Sequence, residues 1–162
     1  MLKKLGGFVP GVLFGVVLGG PVGFGLGVYF LPILTAESGL NRDAVDALSA
    51  SATRSGRFVP DLPGSDALHW GDGTVMLNDR QIWLNGEISP GPDYRLYLVK
   101  DFVDDETGFL AIKGAALQVG LINAFRNFAL DLPAGIDLDA YGAVVIWCEA
   151  FGQFITAARL EN

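Results

Sequence analysis

The chain carries two hydrophobic patterns in succession. From Lys4 to Glu37 no charged side chain occurs, and a charge-free apolar run well beyond 18 residues predicts a membrane-spanning helix. Within it "GFVPGVLFGVVLGGPVGFGLG" places glycine at 7, 11, 15, 19, 23 and 27, every fourth residue. After Arg57 the pattern changes to short alternating runs broken by turn residues. "GTVMLNDRQIWLNG" predicts two strands around Asn78-Asp79. "DYRLYLVKDF" alternates Tyr94, Leu96 and Leu98 against Arg95, Tyr97 and Val99. "LQVGLINAFRNFALDLP" predicts two short strands around Asn123 to Arg126, and "AVVIWC" with "QFITAARL" a last pair joined by Glu149 to Gly152. Strands at this spacing predict an all-β fold, an antiparallel sandwich or barrel. Between the two patterns, residues 36–56 read as a flexible linker of small and hydroxyl residues, in which Asn41 is placed to cap a short helix bearing Val45 and Leu48. The predicted organisation is therefore 1–35 anchor, 36–56 linker and 57–162 outer β domain.

The glycine register points to helix packing. Helices in lipid gain nothing from burying leucine against leucine, and associate where small residues let backbones approach. Residues four apart share one ridge of a helix, so Gly7, Gly11, Gly15, Gly19, Gly23 and Gly27 form a groove for another helix, from a second copy or from an integral membrane protein. The alternative is that glycine is simply common in membrane helices. Pro21 falls mid-span, where it frees the carbonyl of Val17, and Pro32 is expected to mark the exit. A cleaved leader is the competing reading of the segment, but its apolar core exceeds the usual length and "LTAES" is a poor cleavage site. A hairpin breaking at Gly19-Gly20-Pro21 is a third.

Charge sets orientation and excludes some partners. Lys3 and Lys4 precede the apolar run, while all 18 acids and nine of the 11 Lys and Arg follow it, leaving the remainder at −9. Positive charge stays inside, which predicts a single-pass protein of the cell inner membrane with its N-terminus cytoplasmic and its acidic domain periplasmic. An acidic domain without a basic stripe excludes nucleic acid as a partner. It also argues against docking on anionic lipid, and would attract a basic soluble protein such as a cytochrome.

The stretch "YGAVVIWCEAFGQFITAARL" resembles the closing signature of the DM-thirteen domain, found in Skeletor-type proteins. "GRF" at 56–58, "ALHWGDGTV", "GPDYRLYL" and "LDLPAGIDLDAY" resemble further segments of the same family, and "LQVGLINAFRNF" departs from it in being more apolar. The resemblance spans roughly Arg57 to Leu160. It implies an all-β extracytoplasmic module, often fused to redox-associated and b-type cytochrome domains, with a role in electron transfer through a single cysteine, here Cys148.

The residues themselves leave that chemistry open. Cys148 is the one cysteine, so it cannot cycle as a dithiol alone. It follows four apolar residues and precedes Glu149, whose charge raises a thiol pKa. It reads as a buried small hydrophobe, as a redox or mixed-disulfide group, or as a metal ligand. His69, the one histidine, is a weak metal candidate with Cys148. A soft-metal site wants three or four such ligands, and methionine supplies only Met1 and Met76. Asp101, Asp104, Asp105 and Glu106 lack calcium-loop spacing and read as a solvated turn. Trp70, Trp83, Trp147, Tyr94 and Phe154 read as packing groups. With no Gly-x-Ser-x-Gly and no phosphate loop, an enzyme is not indicated and no cofactor is implied. An interaction module of a membrane complex is the leading expectation, with a redox module using Cys148 as the alternative.

Overall fold

The charge-free run forms one helix, α1 (Phe8–Thr35), in the computed structural model, which describes residues 8–162. At 1.5 Å per residue this helix exceeds the roughly 30 Å of a bilayer core. It is long and apolar enough to cross a membrane over Val9–Thr35, where an 18-residue window reaches a mean hydropathy of 1.9. Pro21 and Pro32 both lie inside it. Pro32 was expected at the exit, but the helix runs one turn further, where the Thr35 hydroxyl donates to the Leu31 carbonyl at 2.8 Å. Gly11, Gly15, Gly19, Gly23 and Gly27 each have open space where a Cβ would stand; Gly7 lies outside the described residues.

The chain divides into two compact units, Met1–Thr35 and Ala36–Asn162. The second holds eight strands: β1 (Arg54–Phe58), β2 (Gly71–Leu77), β3 (Gln81–Ile88), β4 (Tyr94–Val99), β5 (Leu117–Ile122), β6 (Ala129–Asp131), β7 (Ala143–Cys148) and β8 (Gln153–Arg159). They make two four-stranded antiparallel sheets, ordered β1-β2-β3-β6 and β5-β4-β7-β8. The expected sandwich is what forms. The β2–β3 turn is closed by Asn78, whose Oδ1 accepts from the amides of Arg80 and Gln81, both at 2.9 Å. The strands β5 and β6 do not pair with each other. The chain leaves one sheet and joins the other between them, held by bonds from Ile88 N to Phe125 O and Leu84 N to Phe128 O, both 2.9 Å. The sheets also meet at Ser55 and Glu161, which exchange two backbone bonds of 2.8 and 2.7 Å.

Period-2 alternation builds two cores on one sheet. Val144, Ile146 and Cys148 of β7 face the interior between the sheets with Leu96, Leu98, Val75, Ile82 and Leu84. Val145 and Trp147 face the opposite way, with Tyr97, Val99, Phe154 and the buried Phe109. All six residues of β7 are buried, which is why the segment reads as a continuous apolar run. Phe109 comes from α3 (Glu106–Ile112), in the acidic stretch expected to be a solvated turn. Asp105 caps this helix, accepting from Gly108 N at 2.6 Å. Local propensity for helix is poor there; burial of Phe109 against the second sheet decides the conformation.

The stretch read as a tether is hydrogen-bonded into the domain. Glu37 N donates to Asn123 O at 2.8 Å and Leu40 N to Asn127 O at 2.9 Å. Asn41 caps α2 (Arg42–Ser49) by accepting from Ala44 N at 2.9 Å, and residues 54–56 already belong to β1. The reason lies on the outer face of the first sheet. Trp83 alternates outward from Ile82 and Leu84 yet is fully buried, as is most of Met76. The segment carrying α2 lies against that sheet, its buried Val45 lining one groove with Asp72, Gly73 and Asn85, and is tied at its far end by Asn78 Nδ2 donating to Ser51 Oγ at 2.9 Å.

Candidate functional site

Three separated motifs meet at one end of the sandwich. The "HW" pair enters β2, the "SPGPD" loop joins β3 to β4, and β7 ends at Cys148 before the turn into β8. Tyr94 and Cys148 are cross-strand partners. The Cys148 thiol donates to the Pro92 carbonyl at 3.0 Å, and Glu149 N donates to Asp93 O at 3.1 Å. Ser89 N bonds Trp70 O at 2.9 Å, and Trp70 N returns a bond to Ser89 Oγ at 3.1 Å. Asp93 takes a left-handed conformation (φ +54°), which a short polar side chain tolerates, and its Oδ1 accepts from Arg95 Nε at 2.8 Å.

Cys148 is 2% exposed. Burial pushes its thiol pKa up, the amides of Phe151 and Ala150 pull it back in part, and the charges of Asp93 and Glu149 raise it again. At neutral pH it is a thiol and not the nucleophilic thiolate. Tyr94 is likewise pushed up to about 12, chiefly by burial and against a hydrogen bond with Ser89.

His69 is engaged elsewhere. Its Nδ1 lies 3.0 Å from Asp66, whose Oδ1 also accepts from the amides of Leu68 and His69 at 2.7 and 2.8 Å. The bond with His69 is the main cause of the lowered Asp66 pKa. Met76 faces outward from the first sheet, whereas Cys148 faces the interior. Among the described residues no group of three or more His, Cys, Asp or Glu is placed to hold a metal ion.

A second polar group lies on the other face of the same strands and was not singled out from the sequence. Glu149 accepts from the Tyr97 hydroxyl through Oε1 and from Lys113 Nζ at 2.7 Å through Oε2. Gln118 Oε1 stands 2.9 Å from the Tyr97 oxygen, so one hydroxyl proton is shared between a carboxylate and an amide, and the charged acceptor holds it more strongly. Lys113 Nζ sits 5.8 Å from the Tyr97 ring centre and 5.1 Å from that of Trp147, within cation–π range. Phe109 links these rings, at 5.2 Å from Tyr97 and 5.0 Å from Trp147. Burial, and then the hydrogen bond with Glu149, raise the Tyr97 pKa. Burial alone would raise that of Glu149, but the bonds from Lys113 and Tyr97 outweigh it and the carboxyl is lowered. The indole Nε1 of Trp147 is buried without a partner. Alternation in β4 already put Tyr97 on the face opposite Tyr94; the contribution of Lys113, beyond the unforeseen α3, had no sequence signal.

The fold and this end of it define a class: an antiparallel β-sandwich module with one buried thiol and a cluster of aromatic and hydroxyl groups, preceded by an apolar helix able to span a membrane. Residues 62–160 match the model of the electron transfer DM13 family, and the chain belongs to that family. The matched segment takes in β2 to β8 and leaves out α1, α2 and β1. No curated protein and no solved structure matches the chain.

Proposed function

We propose that the protein is a membrane-anchored accessory subunit that presents an electron-transfer-family domain to a membrane redox complex. In this reading α1 crosses the inner membrane with its N-terminus in the cytoplasm, and the β domain stands in the periplasm. Lys3 and Lys4 ahead of the span, and the acids after it, support that orientation. The observation that carries the reading is the register of Gly11, Gly15, Gly19, Gly23 and Gly27, which recur every fourth residue of α1 and so share one ridge of the helix. Along that ridge a helix of otherwise large apolar side chains exposes its backbone, and Gly20 and Gly25 beside it are open as well. The partner is another membrane helix, from an integral protein or from a second copy, while the acidic domain attracts a basic soluble protein such as a cytochrome.

The test is association in the membrane. Replacing Gly15 and Gly19 with leucine should leave the protein inserted and folded but abolish co-purification of its membrane partner and disulfide trapping between copies through a cysteine placed in α1 (in a Cys148→Ser background). Undiminished association would overturn the proposal.

The second reading is a redox module using Cys148. It is supported by the family and by the cross-strand pairing of Cys148 with Tyr94. It requires the thiol to exchange an electron with a partner while buried and protonated.

A further inference from the structure

Besides the partly exposed Trp70, four side chains at this end of the sandwich can give up one electron: Cys148, Tyr94, Trp147 and Tyr97. Each carries an acidic hydrogen that becomes strongly acidic once the electron leaves. Oxidation is therefore easy only where a base already holds that hydrogen within bonding distance, since proton transfer demands geometry first. The Cys148 hydrogen points at the Pro92 carbonyl, a neutral acceptor that does not take a proton. Tyr94 has the Ser89 hydroxyl beside it, which is no base either. Trp147 Nε1 has no partner, and the radical cation left behind would sit 5.1 Å beneath the Lys113 ammonium, where like charge opposes it. Tyr97 alone directs its hydrogen at a carboxylate. That carboxylate is kept ionised by Lys113, so it is free to accept.

We infer that Tyr97, with Glu149 as its proton acceptor, is the side chain of this domain built for one-electron oxidation. In the step, a high-potential one-electron metal oxidant on a partner protein removes one electron from Tyr97. The Tyr97 O–H bond breaks, its proton passes to Glu149 Oε1, and a neutral phenoxyl radical and a carboxylic acid result. Re-reduction by one electron returns the proton and closes the cycle. Lys113 is a positioning residue: it fixes Glu149 through Oε2 and leaves Oε1 for the tyrosine. Tyr97 itself is 4% exposed, while the Glu149 and Lys113 side chains are 29% and 28% exposed. The radical is thus shielded from water, but only one layer of side chain separates it from a docked partner. The inference rests on the electron-transfer reading of the domain.

Flash oxidation tests it. The full chain in detergent micelles is mixed with tris(bipyridine)ruthenium(II) and a cobalt(III) quencher, and the radical is trapped and read by electron paramagnetic resonance, with ring-deuterated tyrosine assigning the signal. A tyrosyl signal is expected that disappears in Tyr97→Phe and persists in Cys148→Ser and Tyr94→Phe. Glu149→Gln keeps the shape and the hydrogen bond but cannot take the proton, so radical formation should slow by about 10²-fold. Circular dichroism and melting of each variant separate loss of the radical from loss of the fold. A radical on any other side chain, whether Cys148, Tyr94, Trp147, Trp70 or another aromatic residue, overturns the assignment to Tyr97 and leaves the redox reading standing. An oxidised ruthenium centre that draws no electron from any side chain overturns both. A wild-type rate in Glu149→Gln overturns the role of the carboxylate.

Discussion

The thiol of Cys148 lies 3.0 Å from the carbonyl oxygen of Pro92, across the loop that joins the two sheets. That hydrogen bond and the 2% exposure of the residue keep the sulfur protonated and out of reach of reagents. The thiol is therefore expected to resist maleimide in the folded protein at pH 7 and to react fully once the domain is unfolded in urea, as intact mass would show. Labelling of the native protein at the rate of a free cysteine would remove this account of the site, since opening of the β7 end would then be the dominant state.

Buried hydroxyl and thiol groups also set an alkaline limit. Burial raises the pKa of Cys148 from 9.0 and that of Tyr94 from 10.0 to about 12; Tyr97 is raised too, by burial and by Glu149. In each case the folded state holds the proton more tightly than the unfolded chain. The stabilisation is complete below the unfolded pKa values and is lost as pH rises through the folded ones. Urea midpoints should hold level up to about pH 9 and fall steadily towards pH 12, with Tyr94→Phe falling less steeply. A flat profile across that range would contradict the burial of these groups.

Much of this architecture was legible in the sequence, and what was hidden had a common cause. The strands from β2 to β8 followed from short apolar runs bounded by turn residues, alternating where one face is less buried and continuous where both faces are covered, as in β7. The cap at Asn41 was legible because it is a local bond. What did not show were α3 and the docking of residues 36–52. Both are short helices on the outer faces of the sheets, with few apolar residues of their own, and they exist because Phe109 and Val45 fill space against residues far away in sequence. The Tyr97–Glu149–Lys113 group inherits that invisibility. Its three members lie 16 to 52 residues apart and meet only through the packing of α3 on the second sheet.

The docking of α2 can be measured through Trp83. This indole is fully buried on the outer face of the first sheet, in a domain whose family match begins only at residue 62. Replacing Val45 with alanine removes two methyl groups from that cover and should cost about 2 kcal/mol. Asn41→Ala removes the cap and should cost about 1 kcal/mol. Both should red-shift the tryptophan emission before the main unfolding transition if the segment detaches first. Melting temperatures identical to the parent protein would mean that residues 36–52 contribute nothing to the domain.

Gly73 and Gly86 are cross-strand partners in the β2–β3 ladder, with φ of +142° and +154°, a region that side-chain-bearing residues enter only under strain. Space is equally short: a Cβ on Gly73 would stand 2.5 Å from Asn85 O, and one on Gly86 2.2 Å from Asp72 O. Either alanine substitution should therefore destabilise the domain by roughly 2–3 kcal/mol. The pair gives a sharper test than either alone. Each methyl must push the same two backbones apart, so once one has done so the second meets less resistance. The double variant should lose clearly less than the sum of the single losses. Gly114 is the control, since nothing lies within 4 Å of its Cβ position, and Gly114→Ala should be neutral or mildly stabilising. Urea midpoints of the four proteins decide it: strict additivity would mean that the two sites relax independently, and the close approach of β2 and β3 at this point would not be the shared constraint.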